Sequence, residues 1–308
     1  MSDTLASLRR KIDGAVKLES VVRTMKAVAA SSIGQYEAAV RALADYERAV
    51  ELGLSVCFRR GGAMENNRTP GMIGAVVFGS DQGLVGQFNE VIAGFVERRL
   101  AALPGEKKLW VVGERLYARL TDAGLSLAGQ FAVPNSVAAI NSLVARLQVE
   151  SEAQGGCAEL HVFHARPMAE SLYEPVGLRL LPLDATWQKG LARIAWPNRN
   201  LPELVGEGTG ARRAFIREYL FIALFKACAE SLASENASRL AAMQRAEKNI
   251  DELLSGLNRT FYRLRQNSID EELFDVVAGF NSLLPKNRPL PGRSGKPAGR
   301  AAQLNESS

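Results

Sequence analysis

A chain of 308 residues with 47% apolar side chains can fill one large domain or two ordinary ones. No run of about 18 uncharged apolar residues occurs, which argues against a transmembrane helix, and the charge-studded first 30 residues lack the apolar stretch of a secretory leader. With two histidines and three scattered cysteines (Cys57, Cys157, Cys228), a disulfide frame or zinc knuckle is not expected, histidine chemistry has little to work with, and a reducing compartment is implied.

The first proline is Pro70. Before it, apolar residues recur in steps of mostly three or four: Leu5, Leu8, Ile12, Ala15, Leu18, Val22, Met25, Ala29, Ile33, Tyr36, Val40, Leu43, Val50 and Leu54. This is a narrow stripe, nearer a coiled-coil seam than a wide core face. Gly14, Gly34 and Gly53 each weaken it by about 1 kcal/mol relative to alanine. A long helix is expected over residues 1–57. About 55 helical residues span roughly 80 Å at 1.5 Å per residue, too long for a compact domain.

The middle of the chain, 70–200, reads as an α/β domain. "MIGAVVFGS" is a buried strand ending in glycine, followed by an amphipathic helix from Asn89 to Leu100. "KKLWVVG" is a second strand, with a helix from Glu114 to Ala123; a third helix runs from Ser136 to Ala153, then the strand "AELHVFHAR" and a fourth strand in "VGLRLLPLD". Strands alternating with helices make a parallel or mixed sheet with crossovers.

The turn "FGSDQGLVGQFN" lies where a phosphate-binding loop would sit, after a strand and before a helix. Its glycines, Gly79, Gly83 and Gly86, are spaced G-x-x-x-G-x-x-G. That is neither the dinucleotide fingerprint nor a P-loop, and it has no lysine. The spacing suits a tight strand-to-helix turn with close backbone packing, so no nucleotide and no other cofactor is expected. Asp81 has no second carboxylate or histidine near it in sequence to make a catalytic pair.

A second stripe fills residues 205–284: Phe215, Tyr219, Ile222, Leu232, Leu240, Met243, Ile250, Leu253, Leu257, Phe261 and Leu264. No proline lies between Pro202 and Pro285. Two such helices flanking a folded middle most simply pair antiparallel. The fold class expected is therefore α/β: a long antiparallel two-helix coiled coil from both termini plus a central Rossmann-like domain. Residues 285–308 form a basic Pro/Gly/Arg tail, with Lys286, Arg288, Arg293, Lys296 and Arg300 against Glu306, and read as disordered. Most of the net charge of +5 sits there, so a basic chain is no pointer to nucleic acid.

Four stretches resemble one known family. "VVRTMKAVAASSI" is similar to the "MKMVAAS" stretch in the N-terminal helix of the gamma subunit of F-type ATP synthases. "GSDQGLVGQFN" resembles that family's "SD-x-GL-x-G" turn, "YEPVGLRLLPL" its late strand, and "LNRTFYRLRQNSIDEELFDVVAG" its C-terminal helix with the pattern "N-x-x-RQ-x-x-I-x-x-E-L". The matches come in family order.

The resemblance implies a central rotor shaft. The coiled coil would stand inside a hexamer of alpha and beta subunits. The globular part would sit on the membrane c-ring beside the epsilon subunit, at the cytoplasmic face of a bacterial inner membrane and without insertion into it. ATP would be made on the beta subunits, so a chain without catalytic residues is expected. Residue by residue, Met25 and Lys26 match shaft positions facing the lower beta loops, and Arg239 a basic position on the opposite helix. Arg265 and Gln266 match the "RQ" pair that touches the hexamer's catch loops, and Asp81, Gly83, Leu84 and Gly86 match the globular-domain turn. The mildly acidic "SIGQYEAAV" after "VAAS" and the basic tail depart from the family pattern, as a divergent branch would. A coiled-coil scaffold with a degenerate nucleotide-binding domain, unrelated to ATP synthase, is the alternative, and an enzyme using the glycine loop a third reading.

Overall fold

The computed structural model describes residues 4–61, 71–153, 157–169, 172–198, 200, 202–203 and 208–283. The basic tail expected over 285–308 lies outside the described residues. The chain divides into two units: residues 1–12 with 255–308, and residues 13–254.

In chain order the elements are α1 (Leu5–Ala42), α2 (Ala44–Gly61), β1 (Ile73–Phe78), α3 (Phe88–Ala101), β2 (Lys107–Val112), α4 (Glu114–Asp122), β3 (Leu127–Phe131), α5 (Val137–Ala153), β4 (Glu159–Arg166), β5 (Glu174–Leu181), α6 (Ala185–Ala192) and α7 (Thr209–Leu283). The five strands form one sheet in the order β3-β2-β1-β4-β5. Strands β3, β2, β1 and β4 are parallel, and β5 closes the edge antiparallel to β4. This is the layout of an open α/β sheet with an antiparallel edge strand.

Strand β1 is buried at every position, as a central strand covered on both faces must be. One face, with Ala75, Val77, Leu109 and Val111, packs on Phe88, Ile92, Val96 and Leu100 of α3 and on Leu116 and Leu120 of α4. The other face, with Val76, Phe78, Trp110, Val112 and Val162, packs on Ile140, Val144 and Leu147 of α5. The same cluster takes in Leu224, Phe225, Cys228 and Leu232 of α7 and Tyr36 of α1. The two long helices therefore form part of a sheet layer rather than merely leaving it.

Two elements escape a reading by apolar runs. Strand β3 is an edge strand with one buried residue, Phe131, so it shows no such run. Helix α6 is short; its start is marked by the N-cap Asp184, whose carboxylate accepts the backbone N–H of Trp187 at 2.9 Å.

The N-terminal helix breaks at Leu43 but keeps its phase. Its inward positions in the larger unit step by seven: Ala15, Val22, Ala29, Tyr36, Leu43 and Val50, with Glu19, Lys26, Ile33, Val40, Glu47 and Leu54 as the second row. A strict seven-residue repeat is the signature of a coiled-coil seam. Leu18, counted in the stripe by its chemistry, is 59% exposed, and the seam position beside it is Glu19. On α7, Leu253 is likewise 53% exposed, and Leu254 takes its place. The antiparallel pairing of α1–α2 with α7 is fixed by named bonds. Lys26 Nζ meets Glu247 Oε2 at 2.5 Å, Glu47 Oε2 meets Lys226 Nζ at 3.4 Å, and the Tyr46 hydroxyl donates to Glu218 at 2.7 Å.

In the smaller unit, Leu8 is fully buried and Leu257, Phe261 and Leu264 are partly buried. Burial on α7 ends at Ser268. From there Ile269, Leu273, Phe274, Val276, Val277 and Phe280 are all exposed.

The end of β1 depends on a close approach. A Cβ placed on Gly79 would run into the side chain of Leu116 on α4. Gly79→Ala should therefore destabilise the chain by about 1–3 kcal/mol, the usual cost of overpacking. Urea denaturation followed by circular dichroism measures it, and an unchanged midpoint would count against this packing.

Candidate functional site

In open α/β sheets, ligands bind outside the carboxyl ends of the strands, where the strand order reverses. Here the order reverses at β1, between β2 on one side and β4 on the other. The turn after β1 is the glycine loop, and its polar groups are turned on the protein itself. The Ser80 backbone N–H donates to Asn89 Oδ1 at 3.1 Å, and Asn89 Nδ2 donates back to Ser80 Oγ at 2.8 Å. Both residues are buried. The Ser80 hydroxyl donates to the Gln82 carbonyl at 3.0 Å.

Asp81 ties three strand ends together. Its Oδ1 accepts the N–H of Glu114, the first residue of α4, at 2.9 Å. Its Oδ2 accepts the N–H of Val133, two residues past β3, at 2.9 Å. One of these donors is an orphan of a helix N-terminus, where a carboxylate is favoured. Both oxygens are thus engaged by backbone donors. Gly83 and Gly86 shape the rest of the turn. Gly86 has φ +63°, and Leu84 holds the same left-handed conformation at φ 63° without being glycine. Such a leucine costs of order 1–2 kcal/mol, and its side chain is exposed.

Beside the ends of β1 and β3 lies a small polar cavity under the long helices. Asp81, Gln82, Val133, Pro134 and Asn135 form its floor; Ser32 and Tyr36 of α1 and Glu235, Asn236 and Arg239 of α7 close it. Arg239 reaches Glu235 at 2.5 Å and donates to Asn236 Oδ1 at 3.3 Å, and its side chain is 14% exposed. Burial pushes the Glu235 carboxyl up, Arg239 opposes that, and Asp81 adds to it. The turn carries no lysine, and the side chains of Ser80 and Asp81 are bonded within the protein. Among the described residues no group of three or more His, Cys, Asp or Glu side chains is arranged to hold a metal.

The sequence-matched residues do not converge on one point. Asp81 and Arg239 line the same crevice. Met25 is half-buried, and Lys26 is a seam residue already paired with Glu247. Arg265 and Gln266 are exposed on α7 in the smaller unit. A group that sequence reasoning missed joins β4 to α7: His164 Nε2 lies 2.8 Å from Glu230 Oε2, and Arg166 Nε lies 3.5 Å from the same oxygen. The signal available was a histidine inside the apolar strand "LHVFHAR", a position that demands a partner when buried.

Comparison with known proteins places the chain in a family. The profile described as ATP synthase matches residues 4–283. This chain belongs to the ATP synthase family. Its relatives are gamma chains. That of Frankia casuarinae is 28% identical over 302 residues, covering 92% of this chain and 99% of the relative. That of Pseudarthrobacter chlorophenolicus is 28% identical over 294 residues, covering 89% and 97%. Among solved structures, a chain of the Euglena gracilis mitochondrial ATP synthase, solved as OSCP/F1/c-ring in rotational state 3, superposes with a TM-score of 0.63 at 14% identity. The superposition covers 92% of this chain and 98% of that one. At that identity what is shared is the fold, a coiled coil with a Rossmann-like domain.

Two predictions follow from the bonds around the turn and the sheet. Asp81→Ala strands two backbone donors and should cost about 2–4 kcal/mol, while Asp81→Asn, which keeps one acceptor, should cost about half as much. Thermal unfolding of both variants checks the order. For Glu230, burial pushes the carboxyl up, but the His164 hydrogen bond and charge, with Arg166 and Lys226, outweigh it and hold the carboxyl below its ordinary value. A depressed carboxyl contributes stability above the pKa of the unfolded chain, and that contribution is lost as pH falls through the folded value. The stability of Glu230→Gln should therefore fall less steeply than that of the parent as pH drops below the ordinary carboxylate range, which urea midpoints taken across that range will show.

Proposed function

We infer that this chain is the central rotor shaft of an F-type ATP synthase, coupling ion-driven rotation to ATP synthesis or hydrolysis. The observation that carries the reading is the antiparallel coil of α1–α2 with α7, packed into one layer of the α/β sheet. Ser32 and Tyr36 of α1 and Glu235 and Arg239 of α7 meet the turns after β1 and β3 around a small polar cavity. A domain bonded in this way to both long helices is suited to receive force and pass it along them.

The chain's own residues supply the stiffness. Heptad packing holds α1–α2 and α7 together, and charged seam residues set their register. A polar residue at a seam position specifies register at some cost in stability. Lys26 with Glu247 and Glu47 with Lys226 occupy such positions. In the smaller unit the apolar run of α7 from Ile269 to Phe280 is exposed over several turns. A large exposed apolar surface marks a binding site. We assign it to the sleeve formed by alpha and beta subunits, within which a single helix can turn.

The finer assignments follow the family resemblance. Arg265 and Gln266 touch the catch loops of the hexamer where burial on α7 is about to end. Met25 and Lys26 face the lower beta loops, and Arg239 is the basic position on the opposite helix. The turn of Asp81, Gly83, Leu84 and Gly86 belongs to the globular part, which meets the epsilon subunit and the c-ring; in it Leu84 offers an exposed apolar side chain held at positive φ. The chain works at the cytoplasmic face of the bacterial inner membrane. No helix among the described residues is long and apolar enough to cross a membrane.

Affinity-tagged chain purified from its own cells should bring alpha, beta and epsilon subunits with it, and recovery of the chain alone would sink the rotor reading. In that complex, alanine at both Arg265 and Gln266 should lower ATPase turnover while the chain's circular dichroism stays unchanged. A cysteine at Phe280 should crosslink to alpha or beta; a crosslink to α1 instead would mean that the apolar end folds back.

A further inference from the structure

Helix α7 meets the sheet with small side chains. Ala227, Cys228, Ala229 and Ala233 join Leu224, Phe225 and Leu232 in the cluster under Val162 and Leu180. Apolar contact of this kind resists separation but has no preferred direction. Where α7 presents Ala227, Ala229 and Ala233, few of its own side chains interlock with the sheet to oppose a roll about the helix axis. A rod that must carry torque needs directional bonds to its driver.

Near the start of α7 the Arg217 carbonyl accepts from Gln148 Nε2 of α5 at 3.0 Å; the bonds to the sheet itself fall on two positions one turn apart, Glu230 and Ser234. The Ser234 hydroxyl lies 3.2 Å from the carbonyl of Ala165 in β4 and 2.9 Å from the carbonyl of Glu230. The Glu230 carboxylate faces Nε2 of His164 at 2.8 Å and Nε of Arg166 at 3.5 Å. Arg166 Nη1 in turn lies 3.8 Å from Glu174 at the start of β5. Consecutive residues of one strand end therefore hold consecutive turns of one helix. Charge-assisted bonds are short, strong and angle-dependent. The His164 side chain is 1% exposed, and its Nδ1 has no partner, so the bond to Glu230 is the polar anchor of a buried ring. A helix rotates about 100° per residue. A roll of that size would take Glu230 away from β4 and leave His164 buried with both nitrogens unpaired.

We propose that Glu230, held by His164 and Arg166, is the key that locks the rotation of α7 to the sheet, a positioning residue through which torque passes between the α/β domain and the shaft. The proposal rests on the rotor reading. Its loss lets the shaft slip rather than stop.

The test uses the whole ATP synthase reconstituted in sealed vesicles, with ATP hydrolysis and ATP-driven ion pumping measured on the same preparation. With Glu230→Ala, hydrolysis should stay near the parent rate while ions pumped per ATP fall by about half or more, since one charge-assisted anchor is gone. The deficit should deepen as an opposing ion gradient is raised. Glu230→Gln, which can still accept from His164, should recover most of the coupling. A simple folding defect would lower hydrolysis and pumping in proportion and would overturn the proposal, as would an unchanged ratio in Glu230→Ala. If Glu230→Ala does not assemble, Arg166→Met is read in the same way, with a smaller deficit expected because the His164 bond remains, and an unchanged ratio there overturns the proposal. Should the parent complex hydrolyse ATP without pumping ions at all, it is the rotor reading that fails, and the key falls with it.

Discussion

The structure depends on one enclosed stretch of helix. Between Ile222 and Ser238, α7 is buried on nearly every side, with the sheet against one flank and α1–α2 against another. A helix enclosed in this way must be narrow, and the sequence meets that demand with "ACAESLASENAS". Most polar groups it carries inward must find partners, although the Ser231 and Ser238 hydroxyls are buried without one. Ser234, Glu230, Glu235 and Asn236 do so through partners on β4, on Arg239 and on the helix's own carbonyls.

That enclosure changes what the α/β domain can do. The strand order is that of an open α/β sheet, and the turns after β1 and β3 face α1 and α7 side chains across a small polar cavity. Asp81 and Asn89, which in such a place could serve a ligand, are engaged with Glu114, Val133 and Ser80. Those bonds tie the strand ends and the helices that follow them to one another.

The coil shows the same economy of polar groups. Charged residues at seam positions are costly in a two-helix contact unless they find each other. Lys26 and Glu247, and Glu47 and Lys226, are matched across the seam, so each charge selects one register out of several that the apolar residues alone would permit. In the smaller unit the seam ends and the apolar character does not, since α7 carries exposed large side chains as far as Phe280. An exposed apolar surface of that extent marks an interaction site.

Much of this was legible in the sequence. Periodicity gave two long helices and the antiparallel coil, apolar runs gave β1, β2 and β4, and the absence of a lysine in the glycine loop argued against a P-loop before any geometry was known. These features are local, set by the spacing of side chains along one element. Periodicity could not tell Leu18 from Glu19 or Leu253 from Leu254, because which of two neighbours faces the seam depends on the partner helix and not on hydrophobicity. Edge strand β3, half-exposed and short, left no run to read. The bonds of Asp81 to Glu114 and Val133, the burial of Arg239 over the crevice, and the pairing of His164 with Glu230 join residues far apart in the chain. Only the folded sheet brings those groups within reach, because hydrogen bonds act over about 3 Å while the chain between their partners runs for tens of residues.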